Sequence, residues 1–137
     1  MPVSRLAIEG AIIDLLRPLE SSHACRVRPW PDRDGATPLG DRSVWVALAN
    51  EVWEPTLSFD GDQLGVLTID LQVVARERRG DCGLRALRAA IDLLMAGDVA
   101  GLGVCELESC SFLDREQSLW RFALKYVLRV HRSDVGG

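Results

Sequence analysis

Residues 64–94 read LGVLTIDLQVVARERRGDCGLRALRAAIDLL. Leu67, Ile69, Leu71, Val73 and Ala75 fall on one face of an extended segment, and Thr68, Asp70 and Gln72 on the other. A two-residue alternation of this kind is the pattern of a half-buried β-strand. It stops at Arg76-Glu77-Arg78-Arg79-Gly80, where charge and a glycine end the burial. Asp81 suits the N-cap of a new helix, because its carboxylate can accept from free backbone amides. Leu84, Leu87, Ile91 and Leu94 then recur at spacings of three and four, one stripe of an α-helix. Gly97 stands where a left-handed residue would end that helix. The middle of the chain is therefore strand, charged turn and helix, with no catalytic motif in it. These residues alone specify a soluble α+β domain and leave its task open.

On the N-terminal side, Ser4 can cap a first helix whose stripe is Ile8, Ile12, Leu15, Leu16 and Leu19. Pro18 should end or kink it near Arg17. Residues 24–30 read as a brief strand, and residues 31–42, rich in Gly, Pro and Asp, as a loop. Val44, Val46 and Leu48 alternate with Trp45, Ala47 and Ala49. Apolar residues on both faces fit a central strand, or one whose second face meets another subunit. Residues 51–63 read as a second long connection carrying Trp53, Leu57 and Phe59. Those side chains either fold back on the domain's own core or contact a neighbouring subunit, since aromatics are enriched in interface cores.

On the C-terminal side, residues 103–113 and 119–131 read as strands joined by residues 114–117. In the last strand Trp120, Phe122, Leu124, Tyr126, Leu128 and Val130 share one face, and Arg121, Lys125, Arg129 and His131 the other. Polar-out, apolar-in patterning means a sheet covered on one side only. Residues 133–137 read as a short polar tail. The expected fold is one α+β domain over residues 1–137. Two helices pack on one face of a mainly antiparallel sheet, in the order α-β-β-β-α-β-β.

Composition narrows the function classes. Sixteen basic against 20 acidic residues give a net charge of −4, which argues against a protein whose main task is gripping nucleic acid. The N-terminus lacks a signal-peptide pattern, and no apolar run approaches the roughly 20 residues needed to span a bilayer, so a cytoplasmic location at synthesis is expected, with no membrane partner. Cys25, Cys82, Cys105 and Cys110 form no C-x-x-C pair and are expected as reduced thiols, with Cys105 and Cys110 on opposite strand faces. His23 and His131 stand beside no nucleophile signature, and His23-x-Cys25 has no third metal ligand nearby. Asp60-Gly61-Asp62 lacks the later ligands of a calcium loop. Neither a phosphate-binding nor a dinucleotide motif is present. No catalytic residue, cofactor or metal is expected. The basic groups Arg76, Arg78 and Arg79, Arg85 and Arg88, and the row Arg121, Lys125, Arg129 are either a solvated face or partners for the acidic residues of another copy.

The run VLTIDLQVVARERRGDCGLRALRAAIDLLMAG (residues 66–97), together with Leu119-Trp120-Arg121-Phe122-Ala123-Leu124, resembles the small tail-terminator proteins of contractile-tailed, Mu-like phages, prophages and tailocins. The similarity lies in a strand ending in Val73-Val74-Ala75-Arg76-Glu77-Arg78-Arg79, a following glycine, a helix of the form L-x-x-L-x-x-x-I-x-x-L-L, and a matching first helix at residues 8–15. The resemblance implies a non-enzymatic virion protein forming a ring, hexameric by expectation, on the head-proximal end of the tail tube. Such a ring ends polymerisation, can anchor the last sheath ring and offers a surface to the neck or connector. DNA would pass through its lumen without specific binding. The expected contact residues are Trp53, Leu57, Phe59, Arg76, Arg78, Arg79, Arg121, Lys125 and Arg129. A neck or head-completion protein on the capsid side, and a small α+β ligand-binding protein or enzyme, remain as alternatives.

Overall fold

The computed structural model describes residues 2–30, 42–55, 62–76, 83–116 and 119–136, with only the backbone of Leu84 and residues 113–116. Its longer elements are helix α1 (Arg5–Leu16), short helix α2 (Pro18–Ser22), strands β2 (Arg26–Pro29), β3 (Ser43–Trp53) and β4 (Leu64–Ala75), helix α3 (Leu84–Leu94), and strands β5 (Glu106–Glu116) and β6 (Leu119–His131). Two-residue strands β1 (Val3–Ser4) and β7 (Val135–Gly136) pair in parallel and tie the chain's two ends together. The order is thus richer than the sequence alone predicts, while the α+β class holds. The main sheet runs β2-β3-β4-β6-β5, antiparallel except for β2 beside β3.

The alternation in β4 has the expected consequence. Leu67, Ile69, Leu71, Val73 and Ala75 are buried and stand beside Leu128, Tyr126, Leu124, Phe122 and Trp120 of β6. Val44, Val46 and Leu48 of β3 extend the same face. Ile8, Ile12, Leu16 and Leu19 from α1 and α2, with Leu87, Ile91 and Met95 of α3, complete one core on that side. The helical stripe of α3 ends on Met95 rather than Leu94, which is half-buried. Burying a side chain of this size stabilises the fold by about 1.5–3 kcal/mol, and these residues supply most of the driving force. The opposite, outer face is mixed. Lys125 and Arg129 lie exposed there, but Trp45 and Gln72, cross-strand neighbours, are buried on it. β3 is an interior strand of the sheet, and Trp45 on its outer face lies near Trp30 at a ring separation of 6.2 Å.

Local chemistry sets the boundaries. Ser4 caps α1 by accepting from the Ala7 amide at 3.1 Å. Pro18 starts α2 at its first position, so the chain breaks at Arg17 as expected. At the end of α2 the amides of His23 and Cys25 both donate to the Leu19 carbonyl, and Ala24 between them sits at φ 49°. The Cys25 amide thus reaches back past a left-handed alanine to close the helix end, at a position where glycine is the usual residue.

Several sequence expectations are corrected. The cap of α3 is Gly83, not Asp81, which lies outside the described residues. Gly97 is not left-handed; its value is closeness, since a Cβ there would stand 2.7 Å from Leu15 Cδ2. Residues 51–53 are strand rather than loop, pairing with Leu67, Val66 and Gly65. Residues 114–116 are likewise strand, pairing with Arg121, Trp120 and Leu119. Residues 133–136 are not a loose tail, because Val135 is buried beside Val3. Cys105 and Cys110 do not face opposite ways. A bulge between Leu107 and Ser109 shifts the alternation by one residue, and both thiols turn toward the core.

Candidate interaction surface

Glu51 is a junction that the sequence did not mark. Its carboxylate accepts from Arg5 Nε at 2.6 Å and Nη2 at 2.7 Å, and from Trp53 Nε1 at 3.2 Å. Arg5 Nη1 donates onward to the Gly136 carbonyl at 3.0 Å. One forked ion pair thus fastens α1, the far end of β3 and the terminal strand pair. Hydrogen bonds from the Arg5 guanidinium hold the Glu51 carboxyl down at about 2. A second junction lies next to it. Ser133 donates to both oxygens of Asp62 at 3.0 and 2.8 Å, which lowers the Asp62 pKa, and Arg132 donates to Gln63. Across the helical side, Tyr126 donates to Asp92 at 2.8 Å, and the Arg88 guanidinium lies against Asp92 and Cys110. Burial pushes the Cys105 thiol up to about 11. Among the described residues no group of three His, Cys, Asp or Glu side chains is placed to hold a metal ion. Among the described residues no helix is long and apolar enough to cross a membrane.

The structure places the expected contact residues unevenly. Trp53 is half-buried against the core, its ring lying over Gly65. Leu57, Phe59, Arg78 and Arg79 lie outside the described residues. Arg76 is exposed just after β4. Arg121, Lys125 and Arg129 share the outer face of β6, as their spacing implies, with Arg121 half-buried. Lys125 stands opposite Asp70, and Arg129 Nε approaches Glu106 at 3.8 Å with both side chains largely in water. An open groove of about 670 Å³ crosses this face, bordered by Asn50, Thr68, Asp70, Glu108, Lys125 and Arg129. It is bipolar rather than basic, so it suits a protein surface of mixed charge better than a phosphate backbone.

Two further features come from strand order and were not legible in the sequence. β5 forms one edge of the sheet and β2 the other. β5 exposes Glu106, Glu108, Ser109 and Ser111, with Leu107 42% and Phe112 48% exposed. Phe112 joins a half-buried aromatic cluster with Trp120 and Phe122, at ring separations of 5.5 and 5.9 Å. β2 exposes Arg26 and Arg28 on the outer face, while Val27 faces the core.

The α+β fold is also found among solved structures. Twenty-six chains are similar, among them one from the virion of a native gene transfer agent particle. It is 20% identical, with a TM-score of 0.50 over 90% of this chain and 93% of that one. The two share a fold along almost their whole lengths. No family model and no curated protein matches.

Proposed function

We propose that this chain is a structural virion protein of a phage-type tail, acting as the terminator of the tail tube. In this reading copies of it form a ring, with six subunits, on the head-proximal end of the tube. The ring stops polymerisation, meets the last sheath ring and presents a surface to the neck. The observation that carries the reading is the shared fold with a chain of a gene transfer agent virion over nearly the full length of both. The residue pattern of 66–97 agrees with it independently. The role is scaffolding rather than catalysis, and DNA crosses the lumen without being held.

Within this role the outer face of β6 is the contact with the tail. Lys125 and Arg129 are exposed there beside acidic groups, so they can exchange weak internal pairs for contacts on a partner. Arg76 with Arg78 and Arg79, and Trp53 with Leu57 and Phe59, extend the proposed contact set. Tube protein polymerised with the purified chain present should give tubes of reduced length bearing density at one end only. Lys125→Glu with Arg129→Glu should abolish that capping while leaving the fold intact. Tubes unaffected by wild-type protein would contradict the terminator role. Binding to isolated connector but not to tube ends would move the protein to the capsid side of the joint.

A further inference from the structure

The two edges of the main sheet carry opposite charge on the same face. Glu106 of β5 stands beside Val127, an outer-face residue of β6, and Glu108 borders the outer-face groove. Arg26 and Arg28 of β2 stand beside Ser43 and Trp45, outer-face positions of β3. Among the described residues Arg26 and Glu108 take part in no ion pair. Arg28 meets Glu20 at 3.0 Å and Glu106 meets Arg129 at 3.8 Å, all with side chains between 37% and 70% exposed. Such exposed pairs contribute little and exchange readily.

We propose that neighbouring copies of this chain join head to tail through these edges, β5 of one beside β2 of the next. The register sets Arg26 and Arg28 level with Asp114 and Ser111, and Glu106 level with Asn50. The second copy is therefore shifted along the strand direction until Glu106 and Glu108 face Arg26 and Arg28. The inference rests on the ring reading and names the surfaces that close the ring. Three observations select a second copy in this orientation. Charges that share a face become cross-strand neighbours when two sheets continue edge to edge with those residues at one level, and opposite charges there are favourable. The two-fold alternative, β5 against β5, sets acidic residues against the same acidic residues and is disfavoured. A contact between two different patches does not stop at a dimer, and it makes a ring when the rotation between copies closes.

Side chains carry this contact more than backbone does. Pro29 removes a donor from the short β2 edge, and β5 is interrupted by register shifts after Leu107 and Phe112. The half-exposed Leu107 and Phe112 supply apolar area on the core side of the same edge. Charges thus set the pairing, and Leu107 and Phe112 are covered by it.

Charge reversal with complementation tests the pairing by size-exclusion chromatography with light scattering. Glu106→Arg with Glu108→Arg makes both edges basic, and Arg26→Glu with Arg28→Glu makes both acidic. Each double variant alone should be monomeric with an unchanged melting curve. Mixed in equal amounts they should regain the wild-type mass, since each edge then finds its opposite in the other variant. Wild-type protein that stays monomeric would overturn the ring reading and this pairing with it. A wild-type ring that persists in either variant, or two monomeric variants that ignore each other, would overturn the edge pairing alone. If a reversal unfolds the chain, Glu106→Gln with Glu108→Gln replaces it. That ring should dissociate at lower salt than wild type, and equal salt resistance would contradict the pairing.

Discussion

Ala24 shows how a single residue can hold a conformation its chemistry disfavours. A left-handed backbone costs an L-residue with a Cβ roughly 1–2 kcal/mol, and glycine escapes that cost. Ala24→Gly should therefore stabilise the protein by about 0.5–1 kcal/mol in denaturant titrations. A loss of stability would mean that the Ala24 methyl makes contacts worth more than the strain. Glu51 offers a test in pH. Its pKa is depressed in the folded protein, so its pairing with Arg5 stabilises the fold above the unfolded value of about 4.5. That contribution fades as pH falls from about 4.5 toward about 2, as the carboxylate is protonated. Because the pair is partly exposed, the effect is a modest slope rather than a collapse. Glu51→Gln should flatten the acid limb of melting temperature against pH, and an unchanged limb would remove Glu51 from that role. Neither residue was conspicuous in the sequence. Ala24 needed a backbone angle, and Glu51 needed a partner 46 positions away.

At the scale of elements, periodicity was the readable signal. Strands β4 and β6 and helices α1 and α3 follow from the spacing of apolar residues alone, and so does their common core. Boundaries were harder, because the hairpin through Trp53 and Gly65 looks like a loop until its partner strand is known. A bulge likewise inverts an alternation without any residue announcing it, as at Leu107–Ser109. Gly65 is a sharp test of the hairpin. A Cβ there would press into the Trp53 ring, meeting Cζ3 at 2.6 Å and Cδ2 at 2.7 Å. Gly65→Ala should cost about 1–3 kcal/mol, since a rigid ring must be displaced. A neutral result would show that the indole does not rest on the strand. Along β6, Leu124 is fully buried whereas Phe122 is only partly so. Leu124→Ala should cost about 2–5 kcal/mol by cavity formation, and Phe122→Ala less than the full price of a core aromatic. An equal loss at Phe122 in the assembled protein alone would show that another copy covers the aromatic cluster.

At the scale of the whole molecule, the sequence conveyed class better than surface. Which strand lies at an edge depends on strand order, and no local pattern encodes the order β2-β3-β4-β6-β5. The basic row on β6 was visible because period-two spacing exposes it. The acidic and basic edges were not, for Glu106 and Arg26 become comparable only when their strands bracket one sheet. In the proposed role, a core under two helices, a bipolar outer face and opposite charges on opposite edges serve repeated contact with further copies and with a scaffold. The central claim is that such contacts end a growing tail. The most direct measurement is the distribution of tail lengths, by electron microscopy, in particles produced with the gene deleted. Tubes should still polymerise but run to irregular and excessive lengths, unjoined to heads, and the intact gene supplied in trans should restore a single length. Tails of normal, uniform length attached to heads in the deletion strain would contradict the account.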